Sequence, residues 1–192
     1  MRLVSCRLGQ NNVFGIREGD RVTPIGPATD NALLADLAAA ARRPTGPWPT
    51  GPSVALSDVA PLPPVSRPGK IVCIGLNYVD HAMEGGNPIP EYPAVFLRAA
   101  TSLVGPGQPI LRPPVSAKLD YEAELAIVIG RPALRVREAE ALAHVAGYAC
   151  MNDGSVRDFQ KHSVWAGKNF ARSGAVGPWL ATADERWATP RR

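Results

Sequence analysis

Residues 120–130 read DYEAELAIVIG, and this run decides how the second half of the chain folds. Its β-branched residues and its alternation mark a strand, in which successive side chains point to opposite faces. Glu122, Glu124, Ala126 and Val128 therefore share one face, and Ala123, Leu125, Ile127 and Ile129 share the other. Two negative charges are forced side by side on an otherwise apolar element. Like charges that close raise each other's pKa and cost energy unless a cation, a shared proton or bulk water relieves them. Spacing alone leaves open a cation held between the pair or a solvated strand face.

Asp153 follows the strand YACMN (148–152), and one crossover connection suffices to bring this third carboxylate to the glutamates. Three hard oxygen donors would suit magnesium or manganese, with positions left for a substrate. Asp153-Gly154 reads equally as a hairpin turn. Upstream, the strand KIVCIGL (70–76) runs into NYVDHAMEGG, where His81 and Glu84 lie one helical turn apart. They can form an acid–base dyad in which the carboxylate orients a water-activating imidazole, or a solvated turn closed by Gly85 and Gly86. Lys168 in WAGKNF and Arg157 in SVRDFQK are cations able to bind an anionic substrate or balance the carboxylates, and surface charge explains each as well. His144 and His162 have no partner that the sequence identifies.

Composition narrows the class. With 192 residues, 45% hydrophobic and 20% charged, the chain can bury a sizeable core. The net charge of +4 is dispersed, without a basic run, so nucleic acid is not an expected partner. Cys6, Cys73 and Cys150 lie far apart without a CxxC pair, which argues against a disulfide framework or thiolate zinc and fits a reducing cytoplasm. The N-terminus lacks the apolar core of a signal peptide, and no apolar run approaches the ~20 residues that span a bilayer, so no membrane association is expected. No P-loop, dinucleotide fingerprint or GxSxG elbow occurs.

The segments RLVSCRL (2–8) and VFGI (13–16), with the turn REGD, predict a small antiparallel meander. Asp30 is placed to cap a helix over 31–43, with Leu33, Leu34 and Leu37 as its apolar stripe. Eight of the 20 prolines fall between Pro44 and Pro68, a composition expected of an extended linker. This divides the chain into a small N-terminal domain (1–64) and a second domain (65–192). In the latter, KIVCIGL reads as a buried strand, AVFL as another, ELAIVIG as an interior strand, VREAEALAHVAG as a helix ended by Gly147, and YACMN as a strand. The expected class is α+β.

From Lys70 to about Glu185 the ordered blocks KIVCIGLNYVDHA, PAVFLRAATSLVGPG, LDYEAELAIVIG, GYACMNDGSVRDFQ, GKNF and GAVGPWLATADE closely resemble the fumarylacetoacetate hydrolase family. The resemblance implies a mixed β-roll or β-sandwich catalytic domain that homodimerises. It implies Mg or Mn held by Glu122, Glu124 and Asp153, a water-activating dyad of His81 and Glu84, and Lys168 against the metal-bound substrate. The implied substrate is a small 2-oxo or 1,3-diketo acid. The implied reaction is carbon–carbon bond hydrolysis, with decarboxylation or isomerisation of the same enolate as related activities. Three departures stand out. Ala171 and Gly154 occupy positions where the family often places aspartate and a larger residue. The chain also stops at RWATPRR, where family domains continue with further strands and a GTP-containing segment. The expectation is an incomplete catalytic domain, the alternative being a non-catalytic fragment still able to bind a divalent metal.

Overall fold

The computed structural model describes residues 1–28 and 51–183. The helix expected over 31–43 and the tail after Ala183 lie outside the described residues. Strands β1 (Arg2–Leu8), β2 (Asn11–Glu18) and β3 (Arg21–Pro27) form the expected meander. Gly9 and Gly19 turn its two hairpins with positive φ, a conformation that costs glycine little.

The proline-rich stretch is not purely extended linker where it is described. Within it, β4 (Val54–Ala55) pairs with β3, and β5 (Ala60–Leu62) pairs with β1 at Ser5 to Arg7. Proline is tolerated there because β5 lies at an edge, where a missing N–H costs no ladder bond.

Next come β6 (Val72–Gly75), helix α1 (Val79–Glu84) and β7 (Ala94–Leu97), with β6 and β7 forming a separate antiparallel pair. KIVCIGL is shorter than its apolar run and not buried, since Val72 and Ile74 are about half exposed. Strands β8 (Leu103–Val104), β9 (Leu119–Asp120) and β10 (Ala123–Ile129) follow.

The helix expected over 136–147 is the largest local correction. Only α2 (Glu138–Ala141) is α-helical; a single 3-10 turn over Leu142–His144 follows, and β11 (Val145–Asn152) begins where the helix was expected to continue. Gly147 does not cap a helix. It lies inside β11, where a Cβ would come within 2.2 Å of the Ala181 carbonyl oxygen. The helical spacing of the apolar residues is overridden by burial of Val145, Ala146 and Ala149 in the sheet. Strand β12 (Ser155–Val156), helix α3 (Val164–Lys168) and β13 (Gly174–Thr182) complete the described chain.

Nine of the described strands form one mixed, mainly antiparallel sheet, ordered β10-β11-β13-β1-β2-β3-β4, with β5 on β1 and β8 parallel to β13. Strand β13 thus joins the meander to the second half, with Arg2 opposite Ala181 and Leu3 opposite Leu180. The core packs on this seam: Leu3, Phe14, Ile25, Ala28 and Leu180 form one cluster, and Val4, Cys6, Val22 and Val59 another. Strand β10 is not interior among the described residues. It ends the strand order, and Leu125, Ile127 and Ile129 on its second face are about half exposed.

Candidate functional site

The register of β10 on β11 builds the site. Ala123 lies opposite Asn152 and Glu124 opposite Met151, so Glu122, just before β10, meets Asp153, just after β11. Two backbone contacts fix that end: Asp153 N–H donates to the Glu122 carbonyl at 2.9 Å, and Glu122 N–H donates to Asn152 Oδ1 at 3.1 Å. Asp153-Gly154 therefore does not close a simple hairpin. The departure at Gly154 has a steric reason, since a Cβ there would lie 1.9 Å from the Ser173 carbonyl oxygen.

Helix α3 delivers the cation. Ser163 caps its start by accepting from Ala166 N–H at 3.0 Å, and Lys168 ends its last turn, where a positive charge complements the helix dipole. Lys168 Nζ lies 2.6 Å from Glu122 Oε2 and 2.6 Å from Asp153 Oδ2, and it also donates to the Asp153 carbonyl at 3.0 Å. Its side chain is only 3% exposed. Asn169 latches this segment to the end of β7: its Nδ2 donates to the Leu97 carbonyl at 3.2 Å, and its Oδ1 accepts from Ala99 N–H at 2.6 Å.

A second group of donors meets Glu122. Ser155 Oγ donates to Glu122 Oε1 at 2.6 Å, and Arg157 donates to Glu122 Oε1 at 2.7 Å and to Asp120 Oδ2 at 2.9 Å. Arg157 thus balances carboxylates, one of the two roles its sequence position allowed. Buried Arg98 pairs with the other oxygen of Asp153, Oδ1.

These contacts split the two glutamates. Burial works to raise the Glu122 pKa, but hydrogen bonds from Lys168 and Ser155 and the charges of Lys168 and Arg157 outweigh it, so the carboxyl is held below its usual range. Glu124 goes the other way. Burial raises its pKa first, the charges of Glu122 and Asp153 raise it further, and Lys168 and His81 only partly offset them. The pair on one strand face is therefore relieved asymmetrically, by a lysine at Glu122 and by a stronger hold on the proton at Glu124.

The dyad residues stand at the rim. His81 and Glu84 are both exposed on α1, and no hydrogen bond joins them among the described residues. His81 reaches the site electrostatically through Glu124. Sequence reasoning did not single out Arg98, Ser155 or Asn169. It also missed Cys73 on β6, whose pKa is pushed up to about 11 by burial and then by Asp153 and, more weakly, Glu124.

Among the described residues no three carboxylate, thiol or imidazole groups stand in the mutual geometry of a metal cage. The donor chemistry nevertheless fits a hard divalent ion, because Glu122 and Asp153 already share one cation, the Lys168 ammonium, and Glu124 adds a third oxygen-bearing side chain on the same strand face.

Residues 70–189 match the family model described as fumarylacetoacetate (FAA) hydrolase, C-terminal. Human oxaloacetate tautomerase FAHD2A, mitochondrial, is 42% identical over 137 residues, 69% of this chain and 44% of that protein. Among solved structures, 2-hydroxyhepta-2,4-diene-1,7-dioate isomerase from Mycobacterium marinum aligns over 95% of this chain and 66% of its own, with TM-score 0.74 and 32% identity. Fumarylacetoacetate hydrolase from Exiguobacterium antarcticum gives TM-score 0.72 and 28% identity over 95% and 66%. The matched part of the chain spans less than half the length of human FAHD2A and of the human oxaloacetate tautomerase FAHD2B, which is 40% identical over 155 residues.

Proposed function

The chain belongs to the fumarylacetoacetate hydrolase family, and from that premise we propose that it acts as a Mg²⁺- or Mn²⁺-dependent enzyme on a small 2-oxo or 1,3-diketo acid. One observation carries the reading: Glu122 and Asp153 converge on a shared cation while Glu124, on the same strand face, is left with a raised pKa. Two neighbouring carboxylates pushed in opposite directions, as Glu122 and Glu124 are, are the kind of perturbation that functional sites use.

Glu122, Glu124 and Asp153 would hold the ion, which when bound supplies Lewis-acid polarisation of two substrate oxygens. Lys168 would meet a substrate oxygen that becomes negative by exchanging one of its bonds to Glu122 or Asp153 for it. Arg157, beside Glu122 and partly exposed, adds positive charge that attracts a carboxylate substrate. His81 moves the proton, from the carbon next to the keto group in tautomerisation or from water in carbon–carbon hydrolysis, with Glu84 one turn away to orient it.

Hydrolysis and tautomerisation differ in whether water attacks. Sequence identity does not choose between them, at 42% to a protein named oxaloacetate tautomerase and 48% to one from Burkholderia multivorans named putative hydrolase, so the assay below includes both reactions. A cytoplasmic homodimer, a β-roll catalytic domain that the described strands fill only in part, and a division of the chain near residue 64 belong to the same proposal. Sedimentation velocity tests the dimer, and expression of residues 65–192 alone tests the division.

The deciding assay follows enol loss from oxaloacetate and cleavage of acylpyruvates, with magnesium and with chelator. Magnesium-dependent turnover that His81→Ala lowers by ~10²-fold or more supports the reading. Absence of metal-dependent turnover on every substrate, with calorimetry showing no metal binding, sinks it.

A further inference from the structure

Arg98 stands just beyond β7 with its side chain 0% exposed. Nε donates to Ser102 Oγ at 2.8 Å, one terminal nitrogen donates to Asp153 Oδ1 and to the Gly154 carbonyl at 3.1 Å, and the other donates to Ser173 Oγ at 3.0 Å. A guanidinium taken out of water is costly unless its donors are met, and here acceptors from three separate segments meet them. The cation does not reach Glu122 or Glu124. It takes one oxygen of Asp153 and leaves Oδ2 to the position shared with Glu122, where Lys168 Nζ stands 2.6 Å from each.

We infer that Arg98 is a positioning residue for the ion site: it pins Asp153 Oδ1 and so orients Asp153 to present Oδ2 to a cation shared with Glu122. The inference rests on the metal reading above and adds selectivity to it. Mg²⁺ demands near-octahedral geometry from single oxygens, whereas Ca²⁺ accepts about six to eight oxygens and takes carboxylates in bidentate fashion. Oδ1 keeps a second lone pair, but chelation through both oxygens would have to turn the carboxylate against its hydrogen bond to the buried Arg98, so bidentate binding is disfavoured. Arg98 therefore favours Mg²⁺ over Ca²⁺ without touching either.

The test is calorimetric titration of the 192-residue chain with MgCl₂ and, separately, CaCl₂. The unaltered protein is compared with Arg98→Met, Arg98→Lys and Ser173→Ala, each also melted thermally. Removing a partner behind a metal ligand costs about 10- to 100-fold in affinity. For Arg98→Met that loss should fall on Mg²⁺, with Ca²⁺ affected less, so that the Mg²⁺/Ca²⁺ affinity ratio drops by about fivefold or more. Arg98→Lys keeps the charge but cannot span the same acceptors, and should fall between; Ser173→Ala should shift the ratio slightly in the same direction. A purely structural role would weaken both ions together. An unchanged ratio in folded Arg98→Met overturns the assignment. If that variant does not melt cooperatively, the ratio in Arg98→Lys and Ser173→Ala decides instead, and an unchanged value there overturns it equally. Failure of the unaltered chain to bind either ion removes the metal reading itself, an outcome distinct from binding whose ratio ignores Arg98.

Discussion

Lys168 donates to Asp153 twice, to Oδ2 at 2.6 Å and to the main-chain carbonyl at 3.0 Å. Its remaining proton goes to Glu122 Oε2, so all three donors of the ammonium are satisfied in a nearly closed environment. The lysine is thus tied to the backbone turn as well as to the charges, which keeps the ends of β10 and β11 together.

Replacing Lys168 with Met should therefore destabilise the protein in chelator. Removing one partner of a buried ion pair leaves the other charge unpaired, at a cost of about 3–5 kcal/mol. Urea unfolding with chelator, repeated with added magnesium, checks this. An unchanged midpoint in chelator would show that the carboxylates are relieved in some other way.

The glutamates should respond to pH with opposite signs. Glu122 has a lowered pKa when folded, so its contribution is fully present above the ordinary glutamate value of 4.5 and is lost as pH falls through the lowered one. Glu124 has a raised pKa, so its ionisation costs stability as pH rises from 4.5 through that raised value. In chelator, Glu124→Gln should raise the melting temperature at pH 7 and lose that advantage near pH 4. Glu122→Gln should lower it at pH 7 and flatten the acid limb of the profile. Parallel shifts in the two variants would contradict the asymmetry.

Cys73 should be a slow thiol. With its pKa pushed up to about 11, roughly two units above the ordinary 9.0, its thiolate fraction at neutral pH falls about 100-fold. Cys150 is exposed. Iodoacetamide labelling followed by peptide mass spectrometry should modify Cys150 well before Cys73. Equal rates would show that neither burial nor the charges of Asp153 and Glu124 hold down the Cys73 thiolate.

Gly147→Ala should weaken the β11–β13 seam. The new methyl would meet the Ala181 carbonyl oxygen at 2.2 Å, and overpacking of this kind costs about 1–3 kcal/mol. A melt unchanged from the parent would mean the strands part without penalty.

Strand period and turn chemistry made the meander and the glutamate face readable, because both depend on neighbours in sequence. The residues from Val136 to Gly147 misled for the same reason. Their local spacing is helical, but the sheet claims Val145 and Ala146. Of the three residues expected to hold a metal, Glu122 and Asp153 meet through the Lys168 ammonium, which no spacing announced, and Glu124 lies two positions beyond Glu122. Arg98 was illegible because it reads as one charge ending an apolar strand. Its partners lie 4, 55, 56 and 75 positions away, and no short-range pattern announces them.

Leu3 and Leu180 face each other across β1 and β13, 177 positions apart. During synthesis at about 5–20 residues per second, β1 waits on the order of ten to thirty seconds for that neighbour to leave the ribosome. Its other edge is covered early by β2, and the stretch from Ser5 to Arg7 can receive β5 next. The edge of Leu3 that faces β13 is completed only when Leu180 arrives, and an edge left open for that interval is a template for the wrong chain. The yield of folded protein should therefore depend on how quickly synthesis delivers β13 to β1, as well as on the stability of the finished sheet.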